Sequence, residues 1–356
     1  MTAASAMSAT PYANALEPIR LVSLVVIAYN EEQTIEGLLG DIVAQDHPHD
    51  RIELLFVDSA STDGTKGLLE EFAHKESSFA NIRVLDNPAR FLPQGCNVAL
   101  RAYSGDVFIR VDAHAQIPAD FIRRNVEVLE SGESVCGGVR PTVLQKPTSW
   151  GEALLLAENS AFGSSPAAYR RGQERSIVGS VFHGAYRREV FDVVGPYDER
   201  LLRTEDNDMS YRIHKAGFRI VLDPAIRSEQ FVRSSFCRMA RQKEANGYWI
   251  GRMVYIQPGA ISLFHLVPLA FVLALLAFFL MGLLLSWLPF IALVALYLLA
   301  DLAMALRAII QASERSVALL VLPFIFPLIH ISYGIGTIRG LLVGLFREKG
   351  APYGQR

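Results

Sequence analysis

An α/β fold, with a parallel sheet covered by helices on both faces and a C-terminal helical membrane region, is what this 356-residue sequence predicts. Three observations carry that expectation. Short apolar runs rich in β-branched residues alternate with amphipathic segments of helix length up to residue 112. Two of those runs end on an aspartate, Asp58 and Asp112. From about residue 261 the chain becomes almost wholly apolar, in stretches long enough to cross a bilayer.

The elements follow in order. Residues 1–18 are rich in Ala, Ser and Thr and lack the basic and apolar regions of a secretory signal, so they read as a disordered tail. A catalytic domain is expected over 19–258. Residues 21–28 (LVSLVVIA) predict a strand buried on both faces. After Tyr29 and Asn30, EEQTIEGLLGDIVAQD places apolar residues at helical spacing. Residues 52–57 (IELLFV) predict a second strand ending at Asp58, and the STDG turn at 61–64 leads into the helix KGLLEEFAHK. A third strand at 82–85, a helix at 94–103 and a fourth strand at 107–111 (VFIRV) bring the chain to Asp112. Ligands of such sheets bind at the carboxyl ends of the strands, where both aspartates fall.

Beyond residue 137 the pattern is less regular: a strand at 176–182, a helix at 188–194, a helix from about Glu205 ended by Gly217, and a strand at 219–222. Within 259–346, residues 264–285 and 289–310 predict two membrane helices, while 317–346 either spans or is re-entrant. Three full spans would place the basic tail at 347–356, with Arg347, Lys349 and Arg356, outside, against the positive-inside tendency. Asp301 and Arg307, six positions apart, do not pair along one helix face and are expected to face other helices or the membrane edge.

The chain is 51% hydrophobic and 20% charged with a net charge of −2, which gives no field suited to nucleic acid. Cys96, Cys136 and Cys237 are far apart with no CxxC pair, and are expected as small buried residues in a reducing compartment.

Several side chains suit chemistry on a phosphorylated ligand. Asp58 can accept from a base or ribose, or cap the following helix; Tyr29 can stack on a base or pack a strand end. Glu31 and Glu32 can bond a ribose or favour a helix N-terminus. Asp112 and His114, at i and i+2 on an extended segment, can converge on one metal ion. Mg²⁺ takes one or two carboxylates plus substrate phosphates, and an imidazole moves preference toward Mn²⁺. The Thr204-Glu205-Asp206 run offers a general base, or else an acidic first helical turn capped by Thr204. Arg238, Arg241 and Gln242, followed by Gly247-Tyr248-Trp249, can contact diphosphate or acceptor, or form an interfacial belt.

LVVIAYNEEQTIEGLL, FVDSASTDGT, NVALRAYSGDVFIRVDAH, GAYRREVFDVVGPYDE and TEDNDMSYRIHKAGF together resemble glycosyltransferase family 2 in order and spacing, over roughly residues 20–225. The flanking RQKEANGYWIGRMVYIQPGAISLFHLVP resembles a subgroup similar to the succinoglycan-type exopolysaccharide glucosyltransferases. The resemblance implies a GT-A fold, an inverting hexosyltransferase and a divalent metal, Mn or Mg. By position it makes Asp58 a base contact, Asp112 and His114 the metal ligands, and Asp206 the catalytic base. With Tyr29, Glu31, Arg241 and Gln242, Asp58 and Asp112 are expected to line the nucleotide-sugar site. Two departures stand out: Ser59 where the family often has a second acidic residue, and His114 in place of its usual second aspartate. The QxxRW motif of processive synthases is missing, which implies addition of a single sugar.

The expected donor is a nucleotide diphosphate sugar, a UDP-sugar foremost, and the expected acceptor a polyprenyl-linked saccharide. The setting is exopolysaccharide or cell-surface glycan synthesis at a multi-pass inner or plasma membrane protein with a cytosolic catalytic domain. The alternatives are a polyprenyl-phosphate glycosyltransferase and a non-catalytic nucleotide-sugar-binding membrane subunit.

Overall fold

The computed structural model describes residues 17–144, 148–160, 162–163, 172–231, 235–312 and 316–346. All but the last two positions of the expected tail at 1–18, and the whole basic tail at 347–356, lie outside the described residues. The chain divides into two compact units, the first comprising Met1–Pro141, Ala167–Asp198 and Asp208–Glu229, the second Thr142–Pro166, Glu199–Asn207 and Gln230–Arg356.

In the first unit, strands β1 (Val22–Ala28), β2 (Ile52–Asp58), β3 (Asn81–Asp86) and β4 (Val107–Asp112) pair in parallel in the order β3-β2-β1-β4. Helices α1 (Ile35–Val43), α2 (Thr65–Lys75) and α3 (Leu92–Ala102) join them. Alternation along β1 divides the core between the two faces. Val22, Leu24 and Val26 pack with Ile35, Leu38 and Ile42 of α1 and with Phe121, Ile122 and Leu129 of α4 (Phe121–Glu130). Val25 faces the other way, into a cluster with Cys96 and Ala99 of α3.

Beyond β4 the sheet is mixed, not parallel. The full order is β3-β2-β1-β4-β8-β5-β9-β7, with β5 (Val135–Val139), β7 (Ser176–Ile177), β8 (Phe182–Arg187) and β9 (Ile220–Arg227). Strand β8 runs antiparallel to both β4 and β5, and β7 antiparallel to β9. The single strand expected at 176–182 is therefore two. Since β7 borders β9 at the sheet edge and β8 lies between β4 and β5, one continuous strand cannot fill both places. Helix α6 (Arg188–Val194) matches its expected bounds, and α7 (Glu205–Lys215) starts at Glu205 and gives way at Gly217, whose φ is +89°.

A buried carboxylate ties the amino ends of the strands together. Glu53 accepts from Ser23 Oγ (2.5 Å), Ser104 N and Oγ (2.8 Å each) and Arg83 Nη2 (2.7 Å). Burial raises its pKa and these four donors outweigh that, so the carboxyl titrates below its ordinary value.

The second unit contains a two-stranded parallel ribbon of β6 (Thr142–Val143) and β10 (Gln230–Phe231), and helices α5 (Ser149–Asn159), α8 (Phe236–Ile256), α9 (Leu263–Leu284), α10 (Leu288–Gln311) and α11 (Leu322–Phe346). Thr148 and Ser235 cap α5 and α8 with their side chains. Ala153, Leu154 and Ala157 of α5 bury against Met239 of α8 and Leu322, Phe326 and Ile329 of α11. Among the described residues three helices are long and apolar enough to cross a membrane: α9, α10, and α11 with the 3₁₀ turn Val317–Val321 before it. Asp301 is fully buried on α10, whereas Arg307 is exposed. Cys96 and Cys136 are buried as expected, but Cys237 is exposed, because it falls on the outward side of the first turn of α8.

Candidate active site

The carboxyl ends of β2, β1 and β4 lie side by side, since Ala28 pairs with Asp58 and Ile27 with Asp112. Two strained residues shape this edge: Asn30 (φ +55°) and Ala60 (φ +56°) are non-glycine residues in the left-handed region just past β1 and β2. Their loops are laced together. Asn30 N donates to Ser61 Oγ (3.0 Å), Thr62 N to Asn30 Oδ1 (2.8 Å), and Glu31 N to Thr65 Oγ1 (2.8 Å). Tyr29 stands at the same edge, 45% exposed, with its ring available to a flat ligand.

Asp58 is buried, and only one of its oxygens is used internally. Oδ2 accepts from Ser61 N at 3.2 Å, while Oδ1 has no hydrogen-bond partner. It does not cap α2, whose N-cap is Gly64; Asp63 accepts from Thr65 N at 3.1 Å. A buried acceptor without a donor is costly, so Oδ1 is poised for a ligand N–H or O–H.

Asp112 sits among three side chains. Arg110 Nη2 lies 3.5 Å from Oδ1, and His183 Nε2 lies 3.6 Å from Oδ2 and 3.3 Å from Asp112 N. Nδ1 of the same ring is 2.8 Å from Ser228 Oγ. Burial pushes the His183 pKa down against the pull of Asp112, and the ring bridges Asp112 at Nε2 and Ser228 at Nδ1. Burial also works against charge on Asp112, but His183, Arg110 and His114 outweigh it and hold the carboxyl well below the usual carboxylate range. Arg140 adds positive charge nearby, its guanidinium 3.2 Å from the centroid of the Phe182 ring that Arg110 also approaches at 5.7 Å.

His114 Nδ1 lies 3.0 Å from Glu31 Oε1, and Thr34 Oγ1 donates to Glu31 Oε2 at 2.7 Å. Burial raises the Glu31 pKa, yet these two contacts leave it lowered. Glu31 thus orients an imidazole. The carboxylate places the proton on Nδ1, so that any metal ligand on this ring would be Nε2. Among the described residues no three His, Cys, Asp or Glu side chains form a complete metal cage. The pair at the end of β4 suits another arrangement, an ionised carboxylate and an oriented imidazole, with the remaining ligands supplied by phosphate and water.

The structure therefore brings Tyr29, Glu31, Asp58, Asp112 and His114 to one sheet edge. Asp206, Arg241 and Gln242 belong to the second unit. Asp206 is half-buried in the first turn of α7, where Oδ1 accepts from Asn207 N at 2.8 Å, and it interacts electrostatically with His265. Arg241 is exposed and Gln242 half-buried on α8. His183, Arg110 and Arg140 were not found from the sequence. Arg110 lies within the apolar run VFIRV and His183 next to a strand boundary, so only the spatial neighbourhood of Asp112 reveals them.

Residues 23–195 match the family model described as Glycosyl transferase family 2. A dolichyl N-acetyl-alpha-D-glucosaminyl phosphate 3-beta-D-2,3-diacetamido-2,3-dideoxy-beta-D-glucuronosyltransferase of Methanococcus voltae is 25% identical over 92% of this chain and 98% of its own length. The succinoglycan biosynthesis protein ExoA of Rhizobium meliloti is 31% identical over 56% of this chain and 59% of its own. Among solved structures, a mannosyltransferase from Pyrobaculum calidifontis in complex with GDP-Man and Mn²⁺ superposes with a TM-score of 0.58 at 19% identity, covering 93% of this chain and 88% of that one. That likeness shows the fold, which is of the GT-A type.

Proposed function

We propose, for a chain whose residues 23–195 form a glycosyl transferase family 2 domain, an enzyme that moves one sugar from a nucleotide diphosphate donor to a lipid-linked saccharide. The observation that carries this reading is the end of β4: Asp112 kept ionised by its neighbours, and His114 oriented by Glu31, beside the unsatisfied buried oxygen of Asp58. The first pair suits a divalent ion on a diphosphate, and the second feature suits the base of a nucleotide.

Asp58 Oδ1 accepts from the base, and Tyr29 offers its ring as a stacking surface. Asp112 and His114 hold the metal, Mn²⁺ or Mg²⁺, which when bound supplies positive charge to the departing diphosphate. Glu31, His183 and Arg110 hold those two ligands in position and charge state. Asp206 takes the proton from the acceptor hydroxyl as the new bond to the anomeric carbon forms and the bond to diphosphate breaks, which inverts the anomeric centre. Arg241 and Gln242 contact the diphosphate or the acceptor. The apolar helices make the enzyme a membrane protein, in keeping with the dolichyl-linked acceptor in the name of the Methanococcus voltae relative. A catalytic domain on the cytosolic side of the inner or plasma membrane would meet nucleotide sugars where they are made.

The test is donor hydrolysis and transfer by purified protein against UDP-, GDP- and dTDP-sugars, with Mn²⁺, Mg²⁺ or EDTA. Release of one nucleotide diphosphate is expected, abolished by EDTA and by Asp112→Asn. With lipid-linked saccharide, Asp206→Asn should lower transfer by a factor of about 10² or more. Full turnover by that variant would remove Asp206 as the base. Donor binding by the wild type without hydrolysis or transfer to any acceptor would replace the enzyme with a binding subunit.

A further inference from the structure

Helix α8 carries Arg238, Arg241, Lys243, Glu244 and Arg252, and all but the last have either water or a partner. Arg238 and Arg241 are exposed. Lys243 pairs with Glu158 at 2.9 Å, and Glu244 with Arg339. Arg252 is only 8% exposed, and its neighbours Trp249, Ile250 and Met253 are buried too. Its Nε is enclosed without a hydrogen-bond partner, and among the described residues no carboxylate forms an ion pair with it.

That is a costly state for a guanidinium. Arginine does not lose its proton in proteins, so the charge cannot be removed to ease burial. A buried ion with nothing to balance it is strongly destabilising. A water molecule could accept its hydrogen bonds but not offset its charge. An anion does both, and the planar fork of N–H donors suits phosphate oxygens in particular. The small opening at Arg252 is too little for a protein surface to dock on.

Its place in the chain narrows the source of such a phosphate. Arg252 stands one turn before the end of α8 at Ile256. A 3₁₀ turn, Pro258–Ala260, follows, and α9 begins at Leu263 with Leu263 and Phe264 exposed. The cation thus lies just outside a helix fit to enter hydrocarbon, where the phosphates of membrane lipids are found. Met253, next to it, packs with Leu201, five residues ahead of Asp206, and Leu266 of α9 joins the same cluster. One turn of α8 therefore carries the cation and supports the loop that leads to the base.

We propose that Arg252 binds a lipid phosphate at the membrane boundary, the phosphate through which the acceptor saccharide is joined to its polyprenyl chain. This deepens the transferase reading and rests on it for the identity of the acceptor. A sugar attached to a phosphate held there is presented to the loop of Asp206.

The experiment is thermal unfolding of the full-length protein in dodecyl maltoside micelles with undecaprenyl phosphate, undecaprenol or phosphatidylglycerol added. Undecaprenyl phosphate is expected to raise the melting temperature, and undecaprenol, the same chain without the charge, to leave it unchanged. Arg252→Met removes an unbalanced charge and keeps the length of the side chain, so without lipid it is expected to melt no lower than wild type. It should need about ten- to a hundredfold more undecaprenyl phosphate for the same rise. Arg252→Gln, which keeps an N–H donor, takes its place if the methionine variant does not fold. The same rise in wild type and variant, or an equal response to undecaprenol, overturns the proposal. A rise with phosphatidylglycerol as large as with undecaprenyl phosphate, and lost in the variant, keeps the phosphate site but makes the surrounding membrane its source. None of these readings needs a sugar donor or turnover. Lipid binding through Arg252 without sugar transfer would overturn the enzyme reading and leave the phosphate site standing.

Discussion

Asp58 spends one carboxylate oxygen on its own loop and leaves the other buried without a partner. An asparagine can keep the bond to Ser61 N while losing the charge. Asp58→Asn is therefore expected to unfold at nearly the wild-type temperature but to bind donor about ten- to a hundredfold more weakly, as measured by titration calorimetry. An equal loss of stability and affinity would mean that the residue serves the fold alone. The places of Asp58 and Asp112 at one sheet edge are legible in the sequence because a parallel strand delivers its last residue to that edge. That of His183 is not. It reaches Asp112 from an antiparallel strand 71 positions later, with a φ of +48° that no residue pattern announces. Holding a non-glycine residue there costs about 1–3 kcal/mol, a cost met by its two-sided bridge from Asp112 to Ser228.

At the level of elements, the Glu53 network links β1, β2 and β3 through one buried charge. Its carboxyl titrates lower folded than unfolded, where a glutamate titrates near 4.3. Its stabilisation is thus complete above that value and is lost as pH falls through the folded pKa. Glu53→Gln is expected to be about 2 kcal/mol less stable at pH 7, and to lose less stability than wild type between pH 5 and pH 3, by thermal melts across that range. Glycines make a second contrast. Gly37 of α1 has open space around it, so Gly37→Ala should stabilise by about 0.5–1 kcal/mol. Gly340 abuts the Tyr248 carbonyl, so Gly340→Val should destabilise by about 1–3 kcal/mol or more and separate α11 from α8, read by proteolysis of the detergent-solubilised protein. The helices and strands up to β4 were legible because their apolar positions repeat with period 3.6 or form continuous buried runs. α8 was not, because it buries glycines, Lys243 and Arg252 on the face where a periodic helix would bury leucines.

For the molecule as a whole, the second unit gathers three separated stretches of chain. Its core sets α5 and Met239 against α11. A chain ended at Pro258 would keep the entire glycosyl transferase family 2 match yet expose Ala153, Leu154, Ala157 and Met239. Such a truncation is expected to bind the dye ANS and to aggregate, whereas the full chain in detergent should do neither. A soluble, monodisperse product would show that those residues find cover without α11. The change to an apolar composition near residue 261 is plain from hydropathy, but the packing of α5 and α8 on α11 is not, since contacts such as His330 to the Phe162 carbonyl join positions more than 160 apart.

Helices α8 and α11 meet through glycines, a Cβ on Gly247 colliding with the Tyr333 carbonyl and one on Gly336 with the Glu244 carbonyl, and this contact sets an order of events during synthesis. Gly336 follows Gly247 by 89 residues, so α8 leaves the ribosome long before its partner exists. At about 5–20 residues per second, the narrow face of α8 waits roughly 4–18 s for α11. In that interval the hairpin of α9 and α10 is made. Assembly is thereby vectorial. α11 is thus made well after the helix it fills, and a nascent chain halted before residue 336 leaves the glycine face of α8 uncovered.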